Sequence, residues 1–198
     1  MMYYGQEVGE SANLGASGFE GDNGRTTFFD YWSLPSLQKW INGGAYDGGG
    51  LSSREKELRL FYGRLLHSLS NTALTQGNLY VLNPSNRENP TYGRIAGNME
   101  SGRWLYAFLR HNPITNKSLL VIVNLHPTEA FLGVKLKLSS DATSALSLPA
   151  ATTLTGTDLL AATNPSTISC DARDLVASGI SLPDLPPLSA FYFDLFTR

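Results

Sequence analysis

Apolar positions recur along this chain with two different periods, and the change near residue 76 divides it. From Ser53 to about Ser70, Leu58, Phe61, Tyr62, Leu65, Leu66 and Leu69 form one stripe at helical spacing. Ser52, with Glu55 three residues on, makes a capping box that satisfies two backbone donors of the first turn. Glu55 and Arg59 are spaced for an i, i+4 ion pair on the wet face. Burying such a stripe is worth about 1.5–3 kcal/mol per side chain, far more than the cap or the ion pair supplies. The stripe therefore predicts a covering surface or, failing one, self-association. Upstream, Pro35 followed by Leu37, Trp40 and Ile41 predicts a short helix over Ser36–Asn42.

Beyond residue 76 the period becomes two. Asn78–Leu82 reads as a short strand. In Arg103–Arg110 both faces are apolar, with Trp104, Tyr106 and Phe108 on one and Leu105, Ala107 and Leu109 on the other, which predicts a central strand. The Asn112-Pro113-Ile114-Thr115-Asn116 turn should return the β-branched run Ser118–Leu125 as its hairpin partner. Gly133–Leu138 predicts a strand with Lys135 and Lys137 facing solvent. Thr152–Leu154, Thr167–Cys170 and Gly179–Leu182 are shorter candidates, and Leu188–Phe196 is a strong last strand. Short strands joined by Pro, Gly and Asn turns predict a mainly β protein built as an antiparallel sandwich.

Composition narrows the function classes. The chain has 198 residues, is 42% hydrophobic and 16% charged, and carries a net charge of −2. This is globular composition without a basic footprint, so nucleic acid and anionic membrane are not expected partners. No apolar run is long enough to predict a membrane-spanning helix. Residues 1–50 are punctuated by glycines, including Gly43-Gly44 and Gly48-Gly49-Gly50, a density that marks a functional or mobile loop.

Few residues form a recognisable chemical constellation. Glu7 and Glu10 are the closest carboxylates of the N-terminal loop and suit a cleft rim better than a catalytic pair. Asp22-Asn23-Gly24 with Asp30 lacks the spacing and terminal Glu of a calcium loop. Gly48-Gly49-Gly50 lacks the Lys-Ser/Thr of a phosphate loop. His67, His111 and His126 have no partners at zinc-ligand spacing, and Cys170 is alone and reads as a small buried apolar residue. No metal or cofactor site is predicted. Trp32, Tyr46, Tyr92 and Trp104 could stack on sugar rings. Tyr92, in a proline- and asparagine-rich loop, is expected to be exposed, and Trp104 is expected to pack in the core.

Several segments, in order, resemble the α-amylase family, glycoside hydrolase family 13. Tyr3-Tyr4-Gly5-Gln6-Glu7 is similar to the last strand of that family's (β/α)8 barrel. Phe29-Asp30-Tyr31-Trp32, the Trp40-Ile41-Asn42 helix and the Glu57–Leu69 helix resemble the elements that close it. Trp104–Arg110, Leu120–Asn124, Thr157-Asp158-Leu159-Leu160 and Leu188–Phe193 resemble strands and turns of the Greek-key sandwich that follows, domain C. The resemblance implies a barrel remnant over residues 1–75 and a complete sandwich over 76–198. It also implies that the family's catalytic carboxylates precede the matching part. Retaining glycoside hydrolysis needs two of them, about 5–5.5 Å apart. The expectation is an inactive, structural C-terminal fragment of an enzyme that hydrolyses or transfers α-glucans. Its partners would be the missing barrel and, through the parent enzyme, the polysaccharide. Glu7, Trp32 and Tyr92 are the candidate sugar contacts at the cleft rim or surface. The alternative is a starch- or glycogen-binding module.

Overall fold

The computed structural model describes residues 5–10, 34–97 and 100–197. The chain divides into two compact units, Met1–Arg64 and Leu65–Arg198.

In the first unit, a 3₁₀ turn over Gln6–Val8 is followed, further along, by α1 (Pro35–Ile41) and by most of α2 (Ser53–His67). Pro35 opens α1, where its missing N–H costs nothing. The other end is closed by the glycine-rich loop. The N–H groups of Tyr46, Gly48 and Gly50 donate to the carbonyls of Ile41, Trp40 and Lys39, which have no partner inside a helix that ends here. Gly50 has to be glycine, since a Cβ there would lie 2.9 Å from the Lys39 carbonyl oxygen. The glycines of this segment thus fold the loop back over a helix end. Ser52 and Glu55 form the predicted box: Ser52 N–H donates to Glu55 Oε2 at 2.7 Å and Glu55 N–H to Ser52 Oγ at 3.3 Å. The stripe on α2 does not become a core. No residue of α2 is buried: Leu58, Phe61, Tyr62 and Leu65 are half-buried, while Leu66 stays 45% exposed and Leu69, in the turn after the helix, 49%.

The second unit is mainly β. Its strands are β1 (Asn78–Val81), β2 (Leu105–Asn112), β3 (Lys117–Asn124), β4 (Lys135–Leu136), β5 (Thr153–Asp158), β6 (Thr167–Asp171), β7 (Ile180–Ser181) and β8 (Ser189–Thr197). Six of them make an antiparallel sheet in the order β1-β2-β3-β8-β5-β6, and β4 and β7 make a two-stranded one. The predicted hairpin is β2–β3, closed at Asn112↔Lys117. Its register sets Leu109 against Leu120 and, across β3, Leu120 against Phe193. These side chains join Leu105, Ala107, Ile122, Leu154 and Leu195 in one core, to which the small sheet adds Leu136 and Ile180. The other face of the large sheet carries Leu119 and Val121, packed with Ala73 of α3 (Thr72–Gln76). Leu119 through Ile122 are all fully buried, the signature of a strand covered on both sides. As predicted, Lys135 is exposed while Val134, Leu136 and Leu138 are buried.

Two short helices interrupt the strands, α4 (Asn83–Asn86) and α5 (Ser140–Leu146). Next to α4, buried amides take the place of a strand ladder. Asn86 Nδ2 donates to the carbonyls of Leu82 and Lys137, its Oδ1 accepts from Lys137 N–H, and Asn89 Nδ2 donates to the Lys135 carbonyl. Asn124, at the end of β3, donates to the carbonyls of Glu129, Leu185 and Pro186. Asn86 and Asn89 bond backbone groups beside the small sheet, and Asn124 shares the Leu185 carbonyl with the Phe131 N–H.

This scaffold reverses the expectation for Tyr92. The ring is fully buried in the core instead of projecting from its loop. The Asn86–Asn89 network pins the chain just before it, and Gly102, at φ 71°, leaves the slot in which the ring sits. Burial pushes the Tyr92 phenol well above its ordinary pKa, and its hydroxyl has no partner among the described residues. Cys170 is half-buried against the same core, and burial, with Asp174 and Asp171 nearby, pushes its thiol up.

Candidate functional site

The sequence-derived site residues do not converge. Glu7 lies in the Gln6–Val8 turn, and its Oε2 is buried without a partner among the described residues. Tyr92 is a core residue of the second unit. Trp32, the Asp22–Asp30 segment and the Phe29–Trp32 motif lie outside the described residues, as do Tyr3 and Tyr4. Glu10 is occupied in holding the backbone. Its Oε2 accepts from the N–H groups of Ser36 and Leu37 at 2.8 and 3.1 Å, capping α1. Among the described residues no group of His, Cys, Asp and Glu could hold a metal ion. Trp104 is half-buried against the core, with His126 edge-on at 4.9 Å between ring centroids and the Arg103 guanidinium 5.9 Å from its ring.

The first unit holds a better-formed arrangement, centred on Trp40. The Arg59 guanidinium lies 4.8 Å from the centroid of the Trp40 ring, a cation–π contact, and Tyr46 meets that ring edge-on at 5.7 Å. Beside Trp40 opens a hollow of about 270 Å³ bounded by Asp47, Leu51, Lys56, Arg59 and Leu60. Three local devices build it. The last turn of α1 presents Trp40. The returning loop places Asp47 and holds Tyr46 at φ 53°, a left-handed conformation unusual for a bulky residue. Helix α2 presents Lys56, Arg59 and Leu60 from consecutive turns.

Charge is fixed around the hollow. Asp47 Oδ1 accepts from Asn42 Nδ2 at 2.9 Å and from Gly49 N–H at 2.8 Å, bonds that hold its carboxyl below the usual range. Glu55, one turn before Arg59, does not pair with it as the spacing predicted. It bonds Lys39 Nζ at 2.7 Å and Ser36 Oγ at 3.1 Å. The Lys39 bond, followed by those from Ser52, lowers its pKa from 4.5 to about 2. The indole explains the exchange: stacked on Trp40, Arg59 is turned to the ring, and α1 brings Lys39 to the carboxylate.

Of this arrangement the sequence showed only Tyr46, named for stacking. Trp40 lies on the helical stripe with Leu37 and Ile41, and the spacing of the glycines is the signal for the returning loop. A loop with Gly at 43, 44, 48, 49 and 50 can turn back on the helix before it. Compared with known protein families, curated protein sequences and solved structures, the chain matches none of them.

Proposed function

We propose that this chain is the non-catalytic C-terminal part of an α-amylase-family glycosidase or α-glucan transferase. In this reading residues 76–198 are its Greek-key domain C and residues 1–75 the remnant of its barrel. The observation that carries the reading is how the resembling segments meet. Trp104–Arg110 and Leu120–Asn124 fall on the adjacent strands β2 and β3. Thr157-Asp158-Leu159-Leu160 ends β5, and Leu188–Phe193 begins β8. These last two, distant in sequence, are joined by a buried carboxylate: Asp158 Oδ1 accepts from Leu160 N–H at 3.0 Å and from Tyr192 N–H at 3.1 Å. The resemblance thus falls on segments that bond to one another. One oxygen of Glu10, the carboxylate nearest Glu7 in the sequence, caps α1, a structural role. The purified chain should release no reducing sugar from soluble starch. Turnover abolished by Glu7→Gln or Glu10→Gln would overturn the proposal.

A second reading, a glycan-binding surface, is favoured by the Trp40 hollow. Tyr46 is 61% exposed beside an indole flanked by a carboxylate and two cations. Retardation of the chain in starch-containing native gels tests it, and unchanged mobility would refute it.

A further inference from the structure

A second hollow, of about 290 Å³, opens in the second unit where the main core reaches the surface. We propose that it binds a small amphiphile with a carboxylate head, a free short-chain fatty acid, its alkyl chain against four leucines and its head beside Ser118 and Lys117.

The apolar wall is assembled from separate elements. Leu146 closes α5 with Leu148 just beyond it, Leu154 lies on β5 and Leu195 on β8. Leu146, Leu154 and Leu195 are buried members of the main core, and Leu148 packs at its edge. An alkyl chain entering here meets the same surroundings as a core side chain, so burial drives it in. The volume lies just below the range of pockets that enclose drug-sized ligands, which suits a chain of a few carbons.

The polar wall comes from the β2–β3 turn and the start of β3. Ser118 is paired with His111 of β2 on one side and Leu195 of β8 on the other, so its hydroxyl lies on the core side of the sheet. Its Oγ is 2.8 Å from His111 Nδ1, and both residues are more than nine-tenths buried. With the proton on Nδ1 the ring donates to Ser118 Oγ and leaves the hydroxyl proton for a ligand oxygen. Burial holds His111 below its ordinary pKa, so at neutral pH the ring carries no charge and the cation is supplied elsewhere. Lys117 supplies it. Among the described residues that line the hollow it is the only ionisable side chain, and it is exposed, with no acidic partner among the described residues. Asn116 adds an amide donor at the same rim. A cation and neutral donors, with no carboxylate among them, favour an anionic head over a cationic one. The turn is also set before any ligand arrives. Asn112 Oδ1 accepts from the N–H groups of Ile114 and Thr115, and Thr115 Oγ1 bonds Thr72 Oγ1 at 2.7 Å. Such preorganisation lowers the entropic cost of binding.

The test is a nuclear magnetic resonance titration of the full isotope-labelled chain with hexanoate, hexylamine and hexanol in turn. Hexanoate should give saturable shifts confined to the amides of residues 115–118 and the methyls of the four leucines, and hexylamine should bind at least tenfold more weakly. From butyrate to pentanoate to hexanoate, each added methylene should tighten binding about fourfold. Lys117→Met keeps the stem and removes the charge. It should weaken hexanoate about tenfold and leave hexanol unchanged. Leu148→Trp, at the edge of the core, should fill the hollow and abolish binding of both, with the circular dichroism spectrum unchanged. No saturation with hexanoate, equal affinity for hexylamine, shifts that map elsewhere, or full hexanoate affinity in Lys117→Met would overturn the assignment. If Leu148→Trp fails to fold, the ligand series and Lys117→Met decide by themselves.

Discussion

Gly102 and Tyr92 form a lock whose two halves should fail together when either is changed. Gly102 has φ 71°, and a Cβ there would lie 2.5 Å from Tyr92 Cδ1 and closer still to Cε1. An alanine faces two penalties. The left-handed backbone costs a residue with a Cβ roughly 1–2 kcal/mol. Forcing a methyl into a filled core costs roughly 1–3 kcal/mol more. Gly102→Ala should therefore destabilise by about 3 kcal/mol. Tyr92→Leu should cost about 2 kcal/mol, the loss of ring packing being partly offset by removal of an unpaired hydroxyl. In the double variant the methyl enters space that the ring has left, so only the backbone penalty and the lost packing remain. The total should be about 3–4 kcal/mol rather than the additive 5, a coupling of about 1–2 kcal/mol. Guanidinium denaturation followed by far-UV circular dichroism measures all four states of the cycle. Additivity within about 0.5 kcal/mol would show that Tyr92 does not occupy the Gly102 slot.

Three further outcomes follow. Glu55 has a folded pKa of about 2 against 4.5 unfolded, so its contribution is complete above pH 4.5 and is lost as pH falls towards 2. The shift corresponds to about 3 kcal/mol at most, and solvent around the half-exposed Lys39 reduces this to about 1–2 kcal/mol; Glu55→Gln should lower stability at pH 7 by that amount and flatten the acid limb. Asn124→Leu strands the Glu129 carbonyl and the N–H of His126, while the Leu185 and Pro186 carbonyls keep Phe131 N–H and Ser189 Oγ, and should cost about 2 kcal/mol in urea denaturation; a change under about 0.5 kcal/mol would mean that other groups replace the amide. Burial lowers the pKa of His111 below 6.5, so the unfolded chain takes the proton first and stability should fall as pH drops below 6.5, a slope that His111→Gln should reduce in thermal melts at stepped pH.

What the sequence made legible were features written in neighbouring residues. The β2–β3 hairpin follows from an alternating run, a Pro-Asn turn and a β-branched run, and all three lie within one local stretch. The Ser52–Glu55 box is equally local. The misses needed distant partners. Tyr92 looked exposed among prolines and asparagines because the glycine that admits its ring lies ten residues on, at 102. The Arg59 spacing favoured Glu55, but Trp40 competes for the guanidinium and Lys39 for the carboxylate, both from another helix. Helices α3 and α4 are too short to show a period, and α5, as long as α1, has only Leu146 as a large apolar side chain to mark a stripe. Ser139 does cap α5, accepting from Ala142 N–H, yet a lone serine before a short polar segment is a common pattern in loops. The candidate hollow was hidden for the same reason as Tyr92: its parts come from two helices and the loop between them.

The position of β8 constrains how the second unit can be assembled. Among the described residues it is the last of eight strands in chain order, yet it lies between β3 and β5 in the middle of the large sheet. During synthesis the β1–β3 meander and the β5–β6 hairpin both leave the ribosome before the strand that joins them. Until β8 arrives, β3 and β5 each present an open edge, and strands of this kind recruit neighbouring chains. A stalled or clipped product lacking Ser189–Thr197 would lose far more than one strand: it would be left as two unjoined half-sheets, each with a sticky side.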